Sequence, residues 1–189
     1  MARLREFDVE EALDGVMTVF WRNGYEGASM QAIEAATGLN KQSLYRLFAD
    51  KRAMYLAALA RYEALEMDKA AAVLKDGASA REKFKTLFDA VVTLAVKGDR
   101  SGCFLCNAAT DQGQQDPQTT ELVSAAMRRV EAMFRQALSS SAPYSRDEKA
   151  RDRKAASLMA AYFGLRVLTK ANAPLRLIKA AAAEAAADI

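Results

Sequence analysis

From Ser29 to Phe48 the chain reads SMQAIEAATGLNKQSLYRLF. Met30, Ile33 and Ala36 recur at helical spacing, and Gly38-Leu39-Asn40 makes a tight break. Asn40 stands where it caps a very short second helix, Lys41 to Phe48, whose apolar residues are Leu44, Leu47 and Phe48. Helix, glycine turn, short helix is a helix-turn-helix pattern. Ala35 and Ala36 are small enough for the two helices to cross closely, and Ile33, Leu39, Leu44 and Phe48 are placed to fix the crossing angle. The first turn of the second helix then displays Lys41, Gln42 and Ser43. These side chains suit base edges: Lys meets guanine, Gln meets adenine, and Ser meets either.

Charge distribution points the same way. Between Leu39 and Arg52 the basic residues Lys41, Arg46, Lys51 and Arg52 face one acid, Asp50. From Met1 to Tyr62 eight basic and eight acidic residues balance, and four of the acids (Asp8, Glu10, Glu11 and Asp14) gather early. The N-terminal part is therefore neutral but polarised, with its positive side at the proposed DNA face. The plainer reading, that these cations are only solvated surface, is the usual fate of charges.

Outward from this motif the chain reads as helices with short breaks. Asp8, with Glu11 three residues on, is a candidate N-cap for a first helix carrying Val9, Ala12, Leu13, Val16, Met17 and Phe20, which Asn23-Gly24 stops. Asp50 caps a long helix to about Lys75. Phe84, Leu87, Phe88, Val91 and Ala95 mark another helix; a break from Lys97 to Gly102 and a short segment from Cys103 to Thr110 follow. Asp116-Pro117 opens the next helix as N-cap and N1, and Ser145 with Glu148 reads as a capping box for a helix to about Ala171. Pro174 opens the last helix, where Leu175, Ile178, Ala182 and Ala185 share a face. The fold class expected is all-α. An N-terminal helix-turn-helix domain occupies 1–50, a linking helix 51–75, and a C-terminal helical bundle 76–189.

The Ser145–Ala171 helix has two apolar stripes. Leu158, Ala161, Tyr162, Leu165 and Leu168 form one; Met159, Phe163 and Val167 form the other, about 100° round. A helix apolar on two sides is buried on two sides. With the alanine-rich final helix, this predicts a homodimer packed through the last two helices; the alternative is a central helix of a monomeric bundle.

Composition narrows the function. The 189 residues carry 27 Lys plus Arg against 24 Asp plus Glu, a net charge of +3, and no histidine. Ser-His-Asp triads, Cys-His pairs and His-containing metal sites are thereby excluded. Catalysis would rest on carboxylates, Lys or Cys, and the acids show no cluster, so neither an enzyme nor a bound cofactor is expected. Cys103 and Cys106 are too few for a disulfide framework or a structural zinc, and the commonest reading is two small buried hydrophobes. Cys103 nevertheless follows a break, near a helix N-terminus and close to Lys97 and Arg100, features that lower a thiol pKa. The N-terminal residues lack an apolar stretch of signal-peptide length, and no run reaches the roughly 18 apolar residues of a membrane span. A cytoplasmic protein without membrane contact is expected.

The stretch FWRNGYEGASMQAIEAATGLNKQSLYRLFADKRAMYLAAL, Phe20 to Leu59, resembles the DNA-binding domain of the TetR/AcrR family of bacterial repressors. The resembling features are Gly24-Tyr25 before Ser29, Ile33, the Ala36-Gly38-Leu39 turn, Leu44-Tyr45 with Phe48, and Lys51 after a short loop. Leu47 departs from the aromatic that many relatives carry there. The resemblance implies a dimer that presents two recognition helices to a palindromic double-stranded operator. It implies that Lys41, Gln42 and Ser43 enter the major groove. Ser29, Gln31, Tyr45, Arg46 and Lys51 would meet the phosphate backbone, with Gln31 also in reach of a base.

It further implies that the bundle binds a small-molecule effector that releases the repressor; Phe84, Phe88, Phe104, Met127, Phe134 and Tyr162 are candidate pocket residues. The segment SGCFLCNAATD resembles one subgroup with a GCxxxNAA-type segment, some of whose members sense oxidants or electrophiles at the Cys103 position, which adds Cys103 and Cys106 as a candidate redox sensor. A helical ligand-binding protein that never touches DNA is the remaining alternative.

Overall fold

The structure is a computed structural model describing residues 6–77, 79–113, 115–187 and 189, with side chains from Val9 onward. Among the described residues nine helices form and no strand does. They are α1 Glu6–Gly27, α2 Met30–Thr37, α3 Lys41–Leu47, α4 Lys51–Lys75, α5 Ala80–Val96, α6 Phe104–Asp111, α7 Pro117–Leu138, α8 Glu148–Lys170 and α9 Leu175–Ala187. The all-α expectation holds. No described helix is long and apolar enough to cross a membrane. The segment Met1–Arg5, read above for a leader, lies outside the described residues.

The chain divides into two compact units. One comprises Met1–Leu65 with Asn107–Val123, the other Glu66–Cys106 with Ser124–Ile189. The segment 107–123 thus groups in space with the N-terminal helices, although it lies far along the sequence.

In the first unit Val16, Phe20, Ile33, Leu44, Met54 and Leu59 are fully buried. Burying each such side chain contributes about 1.5–3 kcal/mol before chain entropy is counted. Phe20 and Tyr25 each meet the Tyr55 ring edge-on, at 5.2 Å in both cases. Close approach is set at Gly15 on α1, where an added Cβ would stand 2.9 Å from the Ala36 carbonyl oxygen and 3.0 Å from Thr37 Cγ2. Ala35 and Ala36 themselves are exposed. Small side chains at 35 and 36 therefore do not make the α2–α3 crossing tight; the tight contact is backbone of α2 on a glycine of α1. Gly24, at φ 70°, breaks α1 as expected, and one further turn carries it to Gly27.

In the second unit α5 packs on α8 and α9 around Phe84, Phe88, Phe134, Leu158, Leu165 and Ile178. Ser79 and Glu82 form a reciprocal capping box at the start of α5. Two expected caps move. The α1 backbone is already helical at Glu6, so Asp8 is not its cap, and the Asp8 side chain lies outside the described residues. Helix α8 is capped by Asp147, whose carboxylate accepts from the Ala150 amide at 2.9 Å, because the chain turns through residues 139–146 and becomes helical only at Glu148. Ser145 lies within those turns.

Candidate nucleic-acid interface

Short-range hydrogen bonds build the helix-turn-helix. Ser29 Oγ caps α2 by accepting from the Ala32 amide at 3.1 Å. Gly38, at φ 68° and ψ 5°, ends α2 in the left-handed region, and its amide donates to the Glu34 carbonyl at 2.9 Å. Thr37 Oγ1 accepts from the Leu39 amide at 3.2 Å and donates to the Ile33 carbonyl at 2.8 Å. Asn40 Oδ1 caps α3 through the Ser43 amide at 2.9 Å. The Glu34 carboxylate accepts from the Lys41 amide. The Lys41 and Ser43 amides at the start of α3 are thus satisfied by side chains within the motif.

Leu44 is fully buried and pins the helix from one side. On the other side Lys41, Gln42 and Arg46 are exposed, Ser43 is half-buried, and Tyr45 is 38% exposed. Lys41 Nζ stands 5.8 Å from the Tyr45 ring centre, one turn apart. Gln31 and Ser29 on α2 are exposed as well. Lys51, half-buried at the start of α4, holds its ammonium 4.8 Å over the Tyr25 ring. Asp50 Oδ1 caps α4 by accepting from the Ala53 amide at 2.7 Å. The first turn therefore presents an ammonium, a carboxamide and a hydroxyl, flanked by Tyr45, Arg46, Ser29 and Lys51.

Arg52 does not belong to that face. Its guanidinium donates to the carboxylate of Asp116, which also caps α7 by accepting from the Thr119 amide at 3.3 Å and takes the Thr119 hydroxyl at 2.6 Å. The positive charge counted there from sequence is matched by a carboxylate 64 residues away. Tyr25 is tied similarly, its amide donating to Asp111 Oδ2 at 2.9 Å. Sequence reasoning missed Glu34 and Asp111 as site-supporting residues, and it missed the long-range partners of Tyr25 and Asp116. Of these contacts, the Glu34 one alone is short in sequence, seven residues from Lys41.

The second unit holds the other candidates. Phe84, Phe88, Phe104 and Phe134 are buried; Phe84 meets Phe134 edge-on at 5.0 Å, and Phe134 meets Tyr162 at 6.0 Å. Their rings fill the core. Of the six candidate pocket residues, Tyr162 lines a cavity of about 550 Å3 among α4, α5 and α8. Met127 is half-buried. Burial holds the Tyr162 phenol up at about 12, so it stays a hydroxyl. Cys103 is buried and Cys106 half-buried. The hydrogen bond between them, with burial second, pushes the Cys106 thiol up. Among the described residues no group of three or more Cys, Asp or Glu is arranged to hold a metal.

A short capped helix displaying Lys, Gln and Ser beyond a glycine turn defines a helix-turn-helix DNA-binding protein. Residues 12–58 match the family described as "Bacterial regulatory proteins, tetR family". The HTH-type transcriptional regulator YezE of Bacillus subtilis (strain 168), itself uncharacterized, is 31% identical over 71% of this chain and 70% of its own. The HTH-type transcriptional repressor ComR of Escherichia coli (strain K12) is 31% identical over 57% of this chain and 52% of its own. A cysteine mutant of the TetR family transcriptional regulator CifR, solved with a 26-bp double-strand operator, superposes with a TM-score of 0.80 at 26% identity, covering 98% of both chains. The protein belongs to the TetR family and is a transcriptional regulator, not an enzyme. That decides between a DNA-binding regulator and a helical protein that never touches DNA.

Proposed function

We propose that this regulator is a repressor that binds a palindromic operator as a homodimer and leaves it when a small-molecule effector fills the second unit. The observation that carries the reading is the exposed Lys41-Gln42-Ser43 turn, held by buried Leu44 and the Asn40 cap. Lys41, Gln42 and Ser43 read base edges. Ser29, Gln31, Tyr45, Arg46 and Lys51 meet phosphates, with Gln31 also in reach of a base. Residues 1–50 with the linking helix 51–75 serve DNA binding, and 76–189 serve sensing and dimerisation. The dimer reading is supported by apolar side chains on the last two helices: Val167 is 53% exposed and Leu177 46%, beside half-buried Met159 and Phe163. A regulator of this kind works in the cytoplasm.

The test is a gel shift with the DNA upstream of its own gene, with the mass of the complex measured by sedimentation. A retarded band at two chains per palindrome supports the reading; no preference for that DNA over unrelated DNA contradicts it.

One observation favours a second reading. The Cys103 and Cys106 thiols share a hydrogen bond at the start of α6. In this reading the chain belongs to the GCxxxNAA-type subgroup and senses oxidants or electrophiles through Cys103, with Cys106 beside it. Oxidant titration of operator binding by wild type and Cys103→Ser decides. Equal binding with and without oxidant in wild type contradicts it.

A further inference from the structure

The cavity among α4, α5 and α8 lies wholly inside the second unit, and its walls are apolar, with Val73, Leu87, Val91 and Leu94 prominent. Two acids and two bases also line it, and each stands in an ion pair. Glu66 pairs with Arg166 at 3.2 Å and with Lys69 at 3.0 Å, while Asp89 pairs with Lys85 on its own helix. Arg166 also donates to the Gly102 carbonyl at 2.9 Å, and its guanidinium lies 5.9 Å from the Tyr162 ring centre. The threonine hydroxyls of the lining are satisfied on their own helix: Thr86 donates to the Glu82 carbonyl at 2.9 Å and Thr93 to the Asp89 carbonyl at 2.8 Å. Among the described residues, the Tyr162 hydroxyl is the one side-chain polar group of this lining that makes no hydrogen bond.

We infer that this cavity takes an uncharged lipophilic carbonyl compound, its body along Val73, Leu87, Val91 and Leu94 and its carbonyl oxygen accepting from the Tyr162 hydroxyl. The paired charges select against an ion. A charged ligand loses its water and meets lining charges that already have partners, so it enters without a counter-ion or breaks a pair. A neutral apolar body gives up only hydration that it is better without. The hydroxyl selects for an acceptor. Burial keeps the phenol protonated through the neutral range, so it offers a proton and carries no charge. A carbonyl takes that proton and adds none, whereas an alcohol brings a second donor into an apolar slot. The cavity volume of about 550 Å3 suits a small ligand rather than a peptide. The inference rests on the effector reading above and gives that effector a chemical class.

The test titrates the full-length protein with acetophenone, ethylbenzene, benzoate and benzylamine by calorimetry, and follows retention of the upstream DNA in parallel. Acetophenone should bind about tenfold or more tighter than benzoate or benzylamine. Tyr162→Phe keeps the ring and removes the donor. It should weaken acetophenone about three- to tenfold and leave ethylbenzene, which has no acceptor, unchanged. If that variant fails to fold, the ranking on wild type decides alone. Equal losses for acetophenone and ethylbenzene mark a structural role for Tyr162 and overturn the assignment. So do an undiminished acetophenone affinity in Tyr162→Phe, benzoate or benzylamine binding as tightly as acetophenone, and no binding of acetophenone or ethylbenzene. Acetophenone binding as expected with the DNA still held supports the assignment and counts against the effector reading instead.

Discussion

Arg52 at the first turn of α4 donates to the carboxylate of Asp116, the residue that caps α7. The same carboxylate takes the Thr119 hydroxyl and amide, so one side chain starts a helix and ties the end of the helix-turn-helix to it. The Arg52 hydrogen bond, more than any other contact, holds the Asp116 carboxyl down at about 2 from its ordinary 3.8. A carboxylate with a depressed folded pKa stabilises the fold fully above its unfolded value, and the contribution is lost as the pH falls through the folded one. Asp116→Asn keeps a capping oxygen and removes the charge. It should cost about 1 kcal/mol or less at neutral pH, since Arg52 is 45% exposed. The gap between variant and wild type should close as the pH falls from about 3.8 to about 2. Urea unfolding across that range measures it.

Most of the fold was legible because capping is local. Gly38 donates to a carbonyl four residues back, and Asn40, Asp50 and Asp116 each accept from amides three residues on, so a short window of sequence contains both partners. The contacts that position the site were not legible. Tyr25 with Asp111 spans 86 residues, and Arg52 with Asp116 spans 64. Nothing in the amphipathic pattern of α6 or α7 signals which distant backbone or guanidinium their acids will meet. Helical spacing also could not separate a ring that fills the core, as Phe84 does, from one that lines a cavity, as Tyr162 does; both are apolar stripe positions.

A glycine inside a helix ordinarily costs stability against alanine; at Gly15 it makes room for a contact. Gly15→Ala places its Cβ against the Ala36 carbonyl, a backbone atom that cannot rotate away. The expected cost is about 1–3 kcal/mol, as for overpacking elsewhere, with a weakened operator complex because α2 must shift. Gly38→Ala meets no neighbour within 4 Å and is strained only by its φ of 68°. Its cost should stay near 1 kcal/mol, and Gly38→Asn should cost less. Chemical denaturation of the three variants ranks them.

Lys51 tests the backbone contacts. Its ammonium lies over the Tyr25 ring rather than in an ion pair with a carboxylate, so it remains a full charge for a phosphate. Lys51→Ala should weaken binding to operator and to unrelated DNA alike and reduce the slope of log K against log salt by about 1 per bound chain. Fluorescence anisotropy over a salt series reads both effects.

The central claim is that α3 reads the operator from its exposed first turn. Operator and scrambled duplexes titrated against wild type, Lys41→Ala, Gln42→Ala and Tyr45→Ala test it most directly. Loss of Lys41 or Gln42 should cost about 1–3 kcal/mol on operator and leave scrambled DNA bound nearly as before. Loss of Tyr45, 38% exposed beside Lys41, should weaken both. Full operator affinity in both Lys41→Ala and Tyr45→Ala would contradict the assignment of this face to DNA.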